Sequence, residues 1–206
     1  MCFYSKISQD ALKLANRYKA IYPDSANFNP KDIINAFDYP STPVLTDKSP
    51  SIIQNYNWGL IPESVADLSI RKYTLNARIE TVKTTKSFQK SVNNRCLVIS
   101  DGFYEWQHIE EKGKILKKKF LITLPDEEIF SFAGLYSSWR NPTTGEIYST
   151  YTVLTTQAND IMSQIHNTKK RMPVILKAKD ENKWLEHYDI DSFTYPYQVE
   201  LKPVPV

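Results

Sequence analysis

The stretch KFLITLPDEEIFSFA, residues 119–133, decides the fold class. Its two apolar runs, 119–124 and 129–133, are rich in β-branched and aromatic residues and predict two strands. Pro125-Asp126-Glu127-Glu128 lies between them and predicts a hairpin turn. Similar runs predict further strands at 96–100, 147–155 and 173–176. The chain is therefore expected to be built mainly on a sheet.

The predicted helices are short and flank these strands. Ser8 is a candidate N-cap for a helix that runs to about residue 19, and helical spacing recurs at 157–165 and 180–186. Residues 23–50 carry five prolines and predict irregular structure. Because the strands do not alternate regularly with helices, we expect an α+β fold on a mixed or antiparallel sheet. The length fits one domain covering residues 1–206.

The composition excludes several classes of protein. With 41% hydrophobic and 24% charged residues, the chain is globular in character. No run approaches the roughly 18 apolar residues that span a bilayer, and no signal segment opens the sequence, which predicts a soluble, cytoplasmic protein. Its five glycines form neither GxGxxG nor GxxxxGK[ST], so no nucleotide cofactor is expected. Two cysteines and three scattered histidines predict no disulfide scaffold and no metal site.

Cys2 is the first candidate reactive residue. Methionine aminopeptidases remove Met1 when the next side chain is small, so we expect the mature chain to begin with cysteine. An α-amine with a reference pKa of about 7.7–8.0 then stands beside a thiol on one residue. Such a 1,2-aminothiol condenses with an aldehyde to an imine, and intramolecular addition of the thiol closes a thiazolidine. The alternative is an incidental cysteine on a frayed terminus. Cys96, in an apolar run, is expected to be an inert core thiol.

A second candidate region contains Asn76 and Arg78. They are two residues apart, so an extended segment points them to the same side, where an amide and a fixed cation suit a phosphate or an oxygen-rich ligand. The stretch from residue 78 to 95 is basic, with Glu80 as its one acid. Its cations are Arg78, Lys83, Lys86, Lys90 and Arg95. A solvated basic face is the alternative interpretation.

Glu105 and His166 are candidate acid–base residues. Glu105 stands among three aromatic residues in the stretch SDGFYEW, residues 100–106, and partial desolvation there raises a carboxyl pKa toward the range useful for proton transfer. His166 precedes a basic loop that ends at Arg171, which suits proton transfer near a phosphate. The alternatives are a half-exposed glutamate beside core aromatics and a structural histidine.

Taken in order, these residues belong to six motifs: Met1-Cys2, NWGLIP at 57–62, LNARIET at 75–81, SDGFYEW at 100–106, FAGLY at 132–136, and His166-Asn167 followed by RMPV at 171–174. In these motifs the chain resembles the SRAP (SOS-response-associated peptidase) family, abasic-site processing proteins that crosslink themselves to damaged DNA. They span residues 2 to about 176. The resemblance implies a barrel-like SRAP fold with flanking helices and no cofactor.

The resemblance also implies roles for individual residues. Cys2, once Met1 is removed, captures the aldehyde of an abasic site in single-stranded DNA as a thiazolidine and shields the lesion. Asn76 holds the sugar or the N-terminal residue, while Glu105 and His166 assist sugar ring opening and the proton transfers. Removal of its own Met1 and a lyase activity at abasic sites are also expected. The expected DNA contacts are Arg78, Trp58, Trp106, Lys83, Lys86 and Arg171, and the alternative for Trp58 is a place in the core.

Two stretches depart from the family pattern. Many members begin Cys-Gly-Arg, whereas this chain reads Cys2-Phe3-Tyr4, which removes one expected phosphate contact and places a bulky ring where glycine is common. Residues 35–40 are the best match to the family's Asn-x-Ala-Pro stretch, and no role is carried onto them.

Two other functions are compatible with the sequence. An N-terminal-nucleophile amidohydrolase would use the Cys2 thiol with the free amine as base. A non-catalytic module that binds single-stranded nucleic acid would need only the basic stretch and the aromatic residues. For the SRAP interpretation, the expected partner is single-stranded DNA with abasic sites. The protein is then expected to be a monomer, to associate with the nucleoid when it acts on DNA, and to meet replication proteins. Residues from about 190 to 206 carry no motif.

Overall fold

The structure is a computed structural model that describes residues 2–206, and it confirms the predicted α+β fold. Its helices are α1 (Ala11–Tyr18), α2 (Asp160–Ile165) and α3 (Glu181–Leu185). Its strands are β1 (Tyr4–Ile7), β2 (Lys31–Asn35), β3 (Ser41–Thr46), β4 (Ser49–Trp58), β5 (Asn76–Arg78), β6 (Arg95–Ser100), β7 (Gly102–Glu111), β8 (Lys114–Thr123), β9 (Phe130–Arg140), β10 (Ile147–Gln157), β11 (Arg171–Pro173), β12 (Ile175–Leu176) and β13 (Lys202–Pro205).

Five of the strands close into a barrel, as the resemblance implies. In the order β10–β4–β3–β6–β9, each strand pairs with the next, and β9 pairs with β10 to complete the ring. All these pairings are antiparallel except β10–β4. The short strands β5 and β11 add to β10, and β12 adds to β9. Every residue of β6 is buried, because the barrel wall is covered on both faces.

A second, antiparallel sheet has the order β13–β8–β7–β1–β2. The first strand therefore lies inside the sheet: Tyr4 pairs with Asn35 on one side and with Tyr104 on the other. Buried Asp101 fixes the end of β1, because its carboxylate accepts hydrogen bonds from the backbone N–H of Ser8 at 2.6 Å and from the Ser8 hydroxyl at 2.9 Å. Both ends of this strand are thus held in place.

The stretch 119–133 does not form the predicted hairpin. β8 pairs with β7 and β13, whereas β9 belongs to the barrel, so residues 125–128 connect the two sheets. The two strands were identified correctly, but a turn-like sequence specifies a change of direction and not the partner that each strand finds. The strands are also longer than predicted, since β8 begins at Lys114 and β9 ends at Arg140.

Two further predictions near the start of the chain are corrected. Asp10, and not Ser8, caps α1: its side chain accepts from the Lys13 N–H at 2.9 Å, while Ser8 is engaged by Asp101. Residues 23–50, predicted to be irregular, contain β2, β3 and the start of β4. Pro43 is tolerated in β3 because that part of the strand pairs with β4 alone, and pairing with β6 begins only at Val44.

The later elements agree more closely with the sequence. β6 covers the predicted strand 96–100, while α2 and α3 lie within the predicted helices 157–165 and 180–186. The C-terminal residues, which carry no motif, supply β13 at the edge of the second sheet, where Lys202 pairs with Thr123 and Pro205 with Phe120. No helix within residues 2–206 has the length and apolar character needed to cross a membrane.

Candidate active site

A cleft of about 490 Å³ opens where β1, β7 and the loop after α2 meet. Its size is in the range typical of small-molecule sites, roughly 300–1,000 Å³. It is lined by Phe3, Tyr4, Glu105, Trp106, His108, Lys117, His166, Thr168 and Lys169. Both predicted acid–base residues therefore face one space, with lysines at its exposed side.

Cys2 lies beside this cleft and is 0% exposed. Asn76 Nδ2 donates a hydrogen bond to its carbonyl oxygen at 2.9 Å, and the thiol donates to the Tyr4 carbonyl at 3.8 Å. Burial, together with the negative charge of Glu105, raises the pKa of the thiol well above its ordinary value. The alternative of a frayed, incidental cysteine does not describe this residue. The thiol is neutral at physiological pH and needs a base to react.

Glu105 is placed by β7, where it is 4% exposed and pairs in register with Phe120 of β8. On β7 the Glu105 side chain is buried, and Glu105 and Trp106 both line the cleft. Burial raises the pKa of this carboxyl from 4.5 to about 7. At neutral pH it is divided between its acid and base forms, so it can both donate and accept a proton.

His166 is the residue that ends α2, and it is 8% exposed. Its Nδ1 lies 2.8 Å from the Arg171 carbonyl oxygen. Burial lowers the pKa of the imidazole to about 4, so the ring is neutral at pH 7. The short contact with a carbonyl favours the tautomer with the proton on Nδ1, and Nε2 is then the nitrogen that accepts a proton.

The two tryptophans expected to contact DNA have different environments. Trp58 is 1% exposed, donates from Nε1 to the Leu75 carbonyl at 2.7 Å and stacks on Tyr151. The predicted DNA contact of Trp58 is therefore wrong, because no face of this ring reaches the surface. Trp106 is half-buried in the cleft wall, where it meets the Tyr4 ring edge-on at a centroid distance of 5.0 Å.

Four cations of the basic stretch lie on β5 or in the segment that follows it, whereas Arg95 begins β6, is 4% exposed and donates to the Tyr188 carbonyl, so it is not part of a basic surface. Arg78 is exposed at the end of β5, and Lys86 is also exposed. Lys83 is engaged within the protein: its ammonium group lies 2.9 Å from Asp191 and 3.5 Å from Asp189. Its charge is thus partly neutralised by the C-terminal segment, and the basic face is smaller than the sequence indicates.

Arg171 also has a partner inside the protein. Its guanidinium makes two hydrogen bonds to Glu80, at 2.9 and 2.8 Å, and donates to the Thr155 carbonyl at 2.6 Å. The backbone of the same residue contacts His166. The structure therefore brings the Arg171 backbone next to His166, while its side chain is directed to Glu80.

Comparison with known proteins agrees with this architecture. The family model for the SOS response associated peptidase (SRAP) matches residues 1–206. The chain belongs to the SRAP family. It is 38% identical over 163 residues to the abasic site processing protein YoqW of Bacillus subtilis (strain 168), covering 76% of this chain and 70% of that protein. It is 30% identical over 168 residues to the abasic site processing protein HMCES of Gallus gallus, covering 70% of this chain and 48% of that protein.

Solved structures show the same SRAP fold. A crystal structure of a protein from Bacteroides thetaiotaomicron has a TM-score of 0.91 and 35% identity, with 100% of this chain and 92% of that chain covered. A crystal structure from Bordetella bronchiseptica has a TM-score of 0.82 at 23% identity, covers 100% of this chain and 99% of that chain, and supports the fold alone.

Several cleft residues of this SRAP chain were not identified from the sequence. Tyr4 lines the cleft at a position noted only as a departure, and Thr168 and Lys169 reach it from the loop after His166. His108 and Lys117 face each other in the β7–β8 register. No strand was predicted at residues 102–111, and it is β7 that carries His108 to the cleft.

Proposed function

We propose that this chain processes abasic sites in single-stranded DNA by forming a covalent crosslink through Cys2 after Met1 has been removed, which shields the lesion. The observation that carries the proposal is the position of Cys2, buried beside the cleft with its carbonyl held by Asn76 and its thiol within the field of Glu105. The names of the SRAP relatives, abasic site processing proteins, support the substrate class. Met1 itself lies outside the described residues.

The proposed reaction joins the two nucleophiles of Cys2 to one carbon. The α-amine attacks the C1′ aldehyde of the ring-opened sugar to give a carbinolamine, and loss of one water gives an imine. The thiol sulfur then adds to the imine carbon while its proton ends on the nitrogen, which closes a thiazolidine. The balance is one water released, with no oxidant or reductant. Because both nucleophiles belong to one residue, ring closure is intramolecular and fast.

Glu105 and His166 supply the proton transfers in this proposal. The protonated fraction of Glu105 donates to the sugar ring oxygen as the ring opens, and its ionised fraction accepts the thiol proton. A base is needed because burial raises the pKa of the Cys2 thiol. The neutral imidazole of His166 accepts a proton from the attacking amine and returns it to the departing hydroxyl.

The remaining cleft residues would hold the DNA without reading its sequence. An abasic sugar has no base edge, so recognition depends on the aldehyde and on the backbone. Lys117, Lys169 and exposed Arg78 provide cations for phosphates. Trp106 and Tyr4 form an aromatic wall on which a neighbouring base can stack.

Two further activities follow from the same chemistry. The peptide bond before Cys2 must be cleaved to expose the amine, and the thiol beside Glu105 is suitably placed to assist that self-processing. At an abasic site, the imine acidifies the adjacent C2′ proton, and its loss expels the 3′ phosphate by β-elimination. A lyase product is therefore expected whenever ring closure is slow.

The test uses the full chain and a single-stranded oligonucleotide with one abasic site, resolved on a denaturing gel. We expect a crosslinked band whose mass equals the protein without Met1 plus the DNA minus one water. Cys2→Ala should give no band. A matched oligonucleotide in which the abasic aldehyde has been reduced to the alcohol should also give none, because only the electrophile is missing.

Two results would reject this proposal. A band that persists in Cys2→Ala would place the covalent bond elsewhere, and the absence of a band with Met1 removed would leave a non-covalent binding module. In the second case, glutamine hydrolysis by the same preparation would identify an N-terminal-nucleophile amidohydrolase.

A further inference from the structure

An ion pair between Glu80 and Arg171 lies beside the candidate site and has no part in the proposed chemistry. Nη1 and Nη2 of Arg171 donate to the two carboxylate oxygens of Glu80 at 2.9 and 2.8 Å, a planar two-point geometry. The Thr156 hydroxyl also donates to Glu80, at 3.1 Å, and Nη2 of Arg171 donates to the Thr155 carbonyl. The Arg171 side chain is only 12% exposed, so its orientation is well restrained.

The pair connects two segments that carry different parts of the site. Glu80 lies in the short turn directly after β5, the strand whose first residue, Asn76, holds the N-terminal cysteine. Arg171 begins β11, and its carbonyl oxygen contacts Nδ1 of His166. Both short strands add to β10, β5 in parallel and β11 in antiparallel orientation. The Glu80–Arg171 pair therefore connects the β5 segment, whose Asn76 contacts Cys2, to β11, whose Arg171 carbonyl contacts His166.

We propose that Glu80 is a positioning residue for crosslinking. Through its contact with Arg171, Glu80 holds His166 and Asn76 in fixed positions relative to Cys2. This inference rests on the proposed function and adds a residue to it. The two hydrogen bonds to Glu80 restrict rotation of the Arg171 guanidinium. This restraint also limits movement of the Arg171 backbone, whose carbonyl oxygen orients the His166 imidazole. Small displacements of reacting groups are costly, which gives such a restraint a kinetic effect.

The contacts favour this role over a direct phosphate contact for Arg171. Three of the five N–H groups of Arg171 already donate to Glu80 or to the Thr155 carbonyl, and the side chain is only 12% exposed, so little of the guanidinium is left for a phosphate. Partial burial opposes ionisation of Glu80, but the hydrogen bonds from Arg171 and Thr156 hold the pKa of that carboxyl below its ordinary value. Glu80 is thus ionised at neutral pH.

The experiment compares wild type with Glu80→Gln in three measurements on the full chain. For Glu80→Gln we expect the single-turnover crosslinking rate at saturating protein to fall about tenfold, because His166 and Asn76 lose their common restraint. Non-covalent affinity for the same oligonucleotide, measured in a Cys2→Ala background, should change by less than about twofold. In NMR titrations, the His166 imidazole should shift its midpoint, while His187 should not.

The matched control is Glu127→Gln, the same substitution in an exposed ion pair with Lys202 at 2.9 Å. It should change none of the three measurements. Arg171→Lys serves as a second variant, because it keeps the charge but removes the two-point geometry, and it should repeat the effects if Glu80→Gln fails to fold.

Three outcomes separate the possibilities. An unchanged rate and an unchanged His166 titration in Glu80→Gln would overturn the inference. Weaker affinity with a shallower salt dependence, at an unchanged saturating rate, would also overturn it and assign Arg171 to a phosphate. If wild type itself forms no crosslink that depends on Cys2, the proposed function fails, and the His166 titration alone decides whether Glu80 positions the imidazole.

Discussion

Cys2 and Cys96 are both completely buried, and burial raises the pKa of each thiol, yet their surroundings differ. Cys96 lies in the barrel wall opposite Gly134, where a single added Cβ would stand 2.8 Å from its sulfur. Cys2 lies beside a cleft, with Asn76 on its carbonyl and Glu105 near its thiol. Burial alone therefore does not distinguish Cys2, the proposed nucleophile, from the core cysteine Cys96.

The difference lies in the access and in the proton acceptor that each region offers. Around Cys96 the space is filled by close-packed strands, so no aldehyde can approach the thiol. Beside Cys2 lies a cleft large enough for a small ligand, and the nearby Glu105 carboxyl has a pKa of about 7. The comparison separates a thiol beside an ionisable carboxyl from a thiol enclosed by packed strands, and the proposed crosslinking depends on that carboxyl.

The largest effect should come from replacing each cysteine with serine. Cys2→Ser keeps the small side chain that permits Met1 removal but should abolish the denaturation-resistant product, because a hydroxyl does not close the thiazolidine. Cys96→Ser should still form the crosslinked product. It should lower the free energy of unfolding by about 1–3 kcal/mol, because it buries a hydroxyl for which the core provides no dedicated hydrogen-bond partner. Denaturing gels and urea unfolding measure the two effects. Loss of the product in folded Cys96→Ser would erase the distinction between the two regions.

A smaller, kinetic effect is expected for Glu105→Gln. Removal of a positioned acid–base group should slow crosslinking about a hundredfold. In wild type the rate should rise with pH through about 7, since the ionised carboxylate accepts the thiol proton, and the variant should lack this rise. Single-turnover rates over a pH series provide the measurement. A rise near pH 7 that survives in the variant would belong to another group, such as the α-amine.

The same substitution should change stability in the opposite direction. The folded-state pKa of Glu105 is raised from 4.5 to about 7, so the folded state binds the extra proton between these values and stability is lost as pH rises through about 7. Glu105→Gln avoids this cost, so its free energy of unfolding should exceed that of wild type by about 3 kcal/mol above pH 7. Below about pH 4.5 the two free energies of unfolding should be equal. Urea unfolding at both pH values tests the sign. Equal stability at high pH would mean that the carboxyl is better solvated than its burial indicates.

The smallest effects are expected away from both cysteines, in the basic stretch. Lys86→Ala should weaken non-covalent binding of single-stranded DNA about twofold and reduce the salt dependence of binding slightly. The reason is that an exposed cation that neutralises one phosphate releases one counterion from the DNA. Lys83→Ala should have less effect, since Asp191 and Asp189 already engage that ammonium group. Fluorescence anisotropy at two salt concentrations, in a Cys2→Ala background, compares the two variants. A larger effect for Lys83 would show that DNA displaces its carboxylate partners.

Much of the candidate site could be predicted because its residues lie in short motifs with a recognisable order. Cys2, Asn76, Glu105 and His166 were each selected from the sequence. In the structure Glu105 and His166 line the cleft, Cys2 lies beside it, and Asn76 donates to the Cys2 carbonyl. Trp58 was wrongly assigned to the DNA contacts, because the local sequence does not distinguish a tryptophan ring in the core from one on the surface. Its burial depends on Tyr151 and Leu75, which are distant in sequence.

The sequence by itself determined the α+β class, the SRAP family and the strands of residues 95–100 and 114–176, because apolar periodicity and local motifs are properties of neighbouring residues. Only the tertiary structure decided that β8 and β9 enter different sheets, and that the first strand lies between β2 and β7. It also directed Arg171 and Lys83 to carboxylates of the same chain. Strand partners and ion pairs join residues far apart in the chain, and they are fixed by the packing of the whole molecule rather than by any local pattern.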